Sequence, residues 1–300
     1  MLSFDDHDGF IWYDGKMVPW REANLHVLSH GLHYASSVFE GQRVYAGTIF
    51  KLAEHTERLF ESASQLGFEI PFSQGHINRA NYDVCKANNI DDGYVRPVAW
   101  RGSEMMGVSA QQNAIHVAIA AWEWPSYFSP EARLKGIKLQ WSDWRRPDPA
   151  TIPAKAKAAG LYMICTLSKH KAEAEGFDDA LMLDWRGRLA ESTGANIFLV
   201  INGELHTPTP DCFLDGITRR TVIDLASKRG IEVIERTIML DDFAKADEVF
   251  LTGTAAEVTP VSEIDRYHFQ PGEICRHMMD DYDRVVREPG EPGKTAAAAG

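Results

Sequence analysis

Four short turns ending in glycine, Asp14-Gly15, Ala46-Gly47, Arg186-Gly187 and Asn202-Gly203, each sit between β-prone runs of the chain. Turns of this kind accept positive φ and match the right-handed twist of flanking strands, so each ties its neighbours into an antiparallel pair. Strand pairs are therefore expected over residues 10–20, over 42–45 with 48–50, over 180–184 with a strand from 189, and over 197–201 with 204–206.

Between these pairs the apolar repeat lengthens from two residues to about 3.6. Leu52, Leu59, Phe60, Ala63 and Leu66 recur at helical spacing, with Glu54, Glu57 and Arg58 on other faces, which predicts an amphipathic helix over 52–66. Further helices are expected over 74–87, 158–175 and 218–229, the last closed by Gly230 behind a basic final turn. Strands are expected over 94–100, 114–122, 137–144, 231–237 and 248–252. Hairpins and helices followed by strands read as an α+β fold, and 300 residues accommodate two domains. The boundaries expected are a small N-terminal domain over 1–124, a linker over 125–134 and a large C-terminal domain over 135–287. The tail from 288 to 300 has no core-forming pattern and is expected to be disordered.

Composition narrows the partners. The net charge of −12 repels phosphate backbones and anionic membranes, so neither nucleic acid nor a membrane surface is an expected partner. The four cysteines, Cys85, Cys165, Cys212 and Cys275, show no paired spacing and read as reduced thiols in the cytoplasm. The amino terminus lacks the order of a signal peptide, and no apolar run approaches about 18 residues.

The chemistry concentrates in Thr-Ile-Pro-Ala-Lys155-Ala-Lys157-Ala-Ala-Gly-Leu-Tyr162. Lysine among small residues in a desolvated pocket loses basicity and becomes a nucleophile toward carbonyls, although a lone lysine at such a junction is far more often simply solvated. Leu214-Asp-Gly216-Ile-Thr218 and Thr252-Gly-Thr254-Ala255-Ala256 each offer backbone N–H groups and a hydroxyl to a phosphate, the first at a helix start; singly, each reads equally as a capped turn. Glu191, at a strand end beside Ser-Thr-Gly-Ala-Asn196, can oppose a protonated ring nitrogen or be an ordinary surface acid. His26, His30 and His33 could share a helical face, yet they lack an acidic or cysteine co-ligand, and no metal is expected. A Schiff-base lysine, a ring-nitrogen carboxylate and two phosphate-suited turns together match the needs of pyridoxal 5'-phosphate.

Ordered motifs run along most of the chain. They are His-Val-Leu-Ser-His-Gly-Leu-His-Tyr34, Ser-Val-Phe39-Glu-Gly-Gln-Arg43, Glu-His-Thr-Glu-Arg58-Leu, Tyr94-Val-Arg96-Pro, the Lys157 segment, Glu191-Ser-Thr-Gly-Ala-Asn196-Ile-Phe, Asp-Gly216-Ile-Thr218-Arg and Thr-Gly-Thr254-Ala255-Ala256-Glu-Val-Thr-Pro. By these motifs the chain, from about residue 11 to 273, resembles the branched-chain amino-acid aminotransferases of the class IV, fold-type IV pyridoxal-phosphate family.

The resemblance implies a two-domain fold of the D-amino-acid aminotransferase type, a small α/β domain beside a larger domain with a β-barrel-like core. It implies reversible, ping-pong transamination of leucine, isoleucine and valine with 2-oxoglutarate, by a homodimer or higher homo-oligomer with its active site at the subunit interface. Lys157 would carry pyridoxal phosphate, Glu191 would hold its ring nitrogen and Tyr162 would meet its 3′-oxygen. Arg58, the Ile217 backbone, Thr218 and Thr254 would hold the phosphate. Tyr34, Phe39 and Tyr127 would line the side-chain pocket, with Met106 and Val108 reaching in from a neighbouring subunit. The Thr254 and Ala255 amides and Tyr94 would receive the α-carboxylate, and Arg96 the distal carboxylate of glutamate. Many members carry an acid where this chain has Ala195. The same scaffold also hosts D-amino-acid and (R)-amine aminotransferases, the nearest alternative activities; Tyr94, Arg96 and Phe39-Glu-Gly-Gln-Arg43 favour the branched-chain group.

Overall fold

The computed structural model describes residues 3–124 and 130–288. The chain divides into two compact units. Of the described residues, one takes 3–124, Ala156–Gly160 and 287–288; the other takes residues 130–155 and Leu161–Val286. An unbroken domain over 135–287 is therefore not what the chain adopts. Residues 156–160 return to the first unit because Val38 bridges Ala158 antiparallel and the Phe39 N–H donates to the Lys157 carbonyl at 3.1 Å. Of the expected linker, residues 125–129 lie outside the described residues, whereas Pro130–Lys135 is helical. Of the expected tail, only Glu288 is described.

In the first unit, β1 (Phe10–Tyr13) and β2 (Lys16–Pro19) pair across Asp14 and Gly15, whose φ angles of 46° and 89° are the positive values such a turn demands. A short helix α1 (His30–Tyr34) and β3 (Ser37–Phe39) lead to the second hairpin, β4 (Gln42–Tyr45) with β5 (Thr48–Ile49). Helices α2 (Leu52–Gln65) and α3 (Gln74–Ala87) follow, then the long strands β6 (Gly93–Arg101) and β7 (Ile115–Trp122). The antiparallel sheet has the order β2-β1-β7-β6-β4-β5, with β3 also on β6. Strand alternation sorts its faces. Val117, Ile119 and Ala121 of β7 are buried, as are Leu59 of α2 and Ile77 and Val84 of α3; α2 packs on β3, and α3 on β1 and β7. The intervening residues Arg96, Val98, Ala118 and Ala120 border an open, largely apolar cavity of roughly 380 Å³.

The second unit begins with α4 (Pro130–Lys135) and β8 (Ile137–Trp141) and continues through α5 (Met163–Ala174), β9 (Asp179–Leu183), β10 (Leu189–Ser192), β11 (Asn196–Ile201) and β12 (Glu204–Pro208). It ends with α6 (Ile217–Lys228), β13 (Val233–Arg236), β14 (Glu248–Gly253), β15 (Glu257–Ile264), β16 (Tyr267–His268) and α7 (Glu273–Val285). The sheet order is β10-β9-β8-β15-β14-β11-β12-β13, with β16 also on β15. β8 runs parallel to β9 and to β15, and β12 parallel to β13. The sheet curls, bringing β10 back against β11 and β12 and enclosing Ile137, Leu139, Leu181, Ile197, Leu199 and Leu251. Outside this curl α6 packs on β14 and α7 on β14 and β15, which is why Glu248–Thr252 of β14 are buried on both faces. The fold is thus mixed α+β with a half-barrel core.

Candidate active site

Lys157 follows the turn at Ala154-Lys155 and is tied into the first unit by its backbone. Its N–H donates to Ser62 Oγ at 2.9 Å, and its carbonyl accepts from Phe39. Lys155 is exposed, whereas Lys157 is half-buried with Nζ 5.1 Å from the centre of the Phe39 ring. Desolvation, followed by the positive charges of Arg58 and Arg96, pushes the Lys157 amine down to about 8 against the opposing influence of Glu40 and Tyr94. An amine so placed is present as free base at mildly alkaline pH.

Beside it stands an aromatic wall crossed by a guanidinium. Arg96 Cζ lies 4.9 Å from the Phe39 ring centre and 5.3 Å from that of Tyr94, and its Nη2 donates to Tyr94 Oη at 3.3 Å. Positions 94 and 96 of β6 share a face because strand side chains alternate. The Tyr94 hydroxyl is seated against Gly41, where any Cβ would stand 1.9 Å from it. Arg96 Nε is buried without a hydrogen-bond partner, an unmet donor beside the cavity that Arg96 lines.

Arg58, one helical turn beyond His55 on α2, is bonded to a carboxylate to which no role had been attached. Its Nε and Nη2 donate to Glu40 at 2.7 and 2.9 Å, and His55 Nδ1 bonds the same carboxylate at 2.6 Å. Burial alone would raise Glu40, yet Arg58 and His55 outweigh it and hold the carboxyl far below the usual carboxylate range. Sequence offers a partial signal here, since His55 and Arg58 lie three apart on one helix.

In the second unit Glu191 is buried on β10. Arg146 Nε stands 3.2 Å from Oε1, and Asn196 Nδ2 donates to Oε2 at 3.3 Å and to the Leu214 carbonyl at 3.0 Å. Arg146 and Asn196 are the neighbours that sequence reasoning did not assign to this acid. Gly216 caps α6 without a side-chain hydrogen bond, and a Cβ on it would come 2.2 Å from Asn196 Oδ1. The residue that holds Glu191 thus touches the first turn of α6, where Ile217 and Thr218 lie buried. Thr252, directly opposite Asn196 on β14, has a buried hydroxyl with no partner. Thr254 and Ala255 form the turn between β14 and β15 and are part-exposed, and Tyr162 is half-buried just ahead of α5.

The remaining expected residues are spread along the first unit. Tyr34 ends α1, stacked on His30 at 4.5 Å and 46% exposed; Met106 and Val108 are 44% and 87% exposed. Tyr127 lies outside the described residues. The three histidines have separate partners: His30 bonds Ser36 and the Gly107 carbonyl, His33 bonds the Val27 carbonyl, and His26 accepts from the Leu28 N–H. Their ring nitrogens do not converge.

Within the first unit a lysine amine of lowered pKa suits condensation with an aldehyde; within the second, a buried carboxylate beside an arginine and an asparagine suits a pyridine nitrogen, and the α6 N-terminus with the unpartnered Thr252 hydroxyl suits an anion. Comparison with known proteins agrees. The amino-transferase class IV family model matches residues 37–264. The branched-chain-amino-acid aminotransferase of Pseudomonas aeruginosa is 44% identical, covering 99% of this chain and 98% of that protein. The crystal structure of the Escherichia coli branched-chain amino acid aminotransferase superimposes with a TM-score of 0.91 at 36% identity, covering 96% and 98% of the two chains. The T.th. branched-chain amino acid aminotransferase complexed with N-(5'-phosphopyridoxyl)-L-glutamate gives a TM-score of 0.89 at 40% identity, covering 94% and 95%. This chain belongs to the class IV amino-transferases.

Proposed function

We propose that the protein is a pyridoxal-phosphate-dependent branched-chain amino-acid aminotransferase exchanging the amino group of leucine, isoleucine or valine with 2-oxoglutarate. The observation that carries the substrate class is the Phe39, Tyr94 and Arg96 group. One pocket must accept an aliphatic side chain in one half-reaction and the distal carboxylate of glutamate in the other. An aromatic wall crossed by a guanidinium with an unmet donor provides for both.

When bound, pyridoxal phosphate supplies a carbonyl carbon that condenses with amines and a ring that accepts electrons. The chain supplies the rest. Lys157 Nζ, whose lowered pKa of about 8 suits a proton carrier near neutral pH, would carry the proton between the substrate α-carbon and the aldehyde carbon of the cofactor. Glu191, beside Arg146 and Asn196, would oppose the ring nitrogen. Tyr162 meets the ring oxygen. Arg58, the Ile217 backbone, Thr218 and Thr254 hold the phosphate. The Thr254 and Ala255 amides with Tyr94 take the α-carboxylate, and Tyr34 and Phe39 line the side-chain pocket. The exposure of Met106 and Val108 supports their reaching into a neighbouring subunit of a homodimer or higher homo-oligomer. Four cysteines outside any disulfide support a cytoplasmic setting, and among the described residues no helix is long and apolar enough to cross a membrane.

Initial rates with L-leucine, D-alanine and (R)-1-phenylethylamine, each against 2-oxoglutarate, test the reading. L-leucine should be fastest; a faster D-amino acid or amine would replace the branched-chain assignment with one of the other activities of the scaffold.

A further inference from the structure

Glu40 has no exposed surface, and an ion pair buried this deeply is at best neutral for stability against an apolar pair of the same shape. A carboxylate in that position calls for a reason other than folding. Both oxygens are occupied: Oε1 by Arg58 Nε, and Oε2 by Arg58 Nη2, His55 Nδ1 and, at 3.3 Å, the Gly41 N–H. The backbone is pinned as well, since the Glu40 N–H donates to the Pro97 carbonyl at 2.8 Å and the adjoining Phe39 N–H bonds Lys157. A planar guanidinium held by two parallel bonds cannot rotate about its terminal torsions, so its plane is settled before any ligand arrives. Burial lowers the affinity of His55 for a proton despite Glu40 beside it, which suits His55 to act as a neutral donor that steadies the carboxylate.

We propose that Glu40 is a positioning residue for phosphate recognition: it holds Arg58, steadied in turn by His55, in the orientation in which the guanidinium meets the phosphomonoester of the cofactor. The inference rests on the reading of Arg58 as a phosphate contact. An unpaired arginine must lose its rotamer freedom when it binds, whereas one already locked to Glu40 has none left to lose. Glu40 also supplies the negative charge that keeps Arg58 and Arg96 from suppressing the Lys157 amine further.

The test compares affinity of the cofactor-resolved full chain for pyridoxal phosphate and for pyridoxal, which lacks the phosphate. Glu40→Gln should raise the pyridoxal-phosphate Kd on the order of tenfold, the cost of ordering one rotamer-rich side chain, while changing the pyridoxal Kd by less than about threefold. Glu40→Asp should recover part of the loss. In an Arg58→Ala background Glu40→Gln should cost less than about twofold, because the residue through which it acts is gone. Equal losses for the two ligands, or a full tenfold loss on top of Arg58→Ala, would overturn the inference. Should Glu40→Gln not fold, His55→Leu carries the same test: it should weaken pyridoxal phosphate more than pyridoxal, and equal weakening again overturns it. The two readings separate cleanly. If Arg58→Ala spares the ratio of the two Kd values, the phosphate role of Arg58 fails; if it shifts the ratio while Glu40→Gln and His55→Leu do not, only the positioning role fails.

Discussion

Replacing Lys157 by methionine should stabilise the cofactor-free protein at neutral pH, and the gain should shrink as the pH rises. Burial, then Arg58 and Arg96, bring the amine from its ordinary 10.5 to about 8 in the folded chain. The unfolded chain therefore holds this proton more tightly than the folded one, and stability rises with pH between about 8 and 10.5. Below that window wild type bears the whole penalty, and above it none. A separation of about 2.5 pH units, at about 1.4 kcal/mol for each tenfold, amounts to about 3 kcal/mol at pH 7 and to less than half of that at pH 9.5. Methionine keeps the length and apolar stem of the side chain without its charge. Equilibrium urea unfolding of both proteins at pH 7 and 9.5, followed by tryptophan fluorescence, reads the difference directly. Because every other titrating group is common to both proteins, only Lys157 contributes to the pH dependence of that difference. A gap that is the same at the two pH values, or a variant less stable than wild type at pH 7, would refute the account of a lysine strained by desolvation.

Arg96→Ala should slow the glutamate half-reaction far more than the leucine half-reaction in single-turnover measurements, since a charged hydrogen bond is worth about 1.5–3 kcal/mol and an isobutyl group loses little; equal slowing would make Arg96 structural. Glu248→Ala should destabilise the second unit by about 2 kcal/mol, because the carboxylate on β14 accepts the N–H groups of Gly272, Ile274 and Cys275 at the start of α7. Amide exchange should quicken first in α7, and uniform quickening across the unit would count against a capping role.

The hairpins were legible because their requirement is local. Gly15, Gly47, Gly187 and Gly203 all adopt positive φ, and a glycine between β-prone runs has few other uses. Helices α2 and α3 were legible because each buries one stripe and wets the other. β15 was not legible. It lies between β14 and β8 and is buried along its first five residues, so its side chains show no alternation, and Pro260 within it argues against a strand until Phe250 is seen opposite. Helix α7 lay outside the expected elements although buried Cys275, Met278 and Tyr282 recur at helical spacing; acidic residues on its remaining faces, and a cap supplied by Glu248 rather than by its own flank, concealed its start. The helix expected over 158–175 begins late, as α5 at Met163, because Ala158 is engaged with Val38.

The candidate site could be read from the sequence as residue types and not as pairs. Lys157, Glu191 and Arg58 can be named from motifs, but what makes each of them useful is a partner distant in sequence. Glu40 reaches Arg58 only because β6 draws the segment between β3 and β4 beneath α2, and Arg146 reaches Glu191 only because β8 and β9 run parallel, leaving the loop after β8 at the same end of the sheet as the end of β9. Periodicity reports which face a residue occupies and is silent about what it meets there. The glycines illustrate the limit. Gly41 and Gly216 both look like turn residues in the sequence, yet neither has a positive φ among the described glycines. Each is required by contact instead: a Cβ at 41 would strike the Tyr94 hydroxyl, and one at 216 would strike Asn196. Asn196 in turn holds Glu191, so a methyl group at 216 would displace the Glu191 carboxylate and the first turn of α6 together. Two motifs separated in the sequence are thereby one mechanical unit, and a substitution in the Gly216 turn is bound to disturb the Glu191 carboxylate as well.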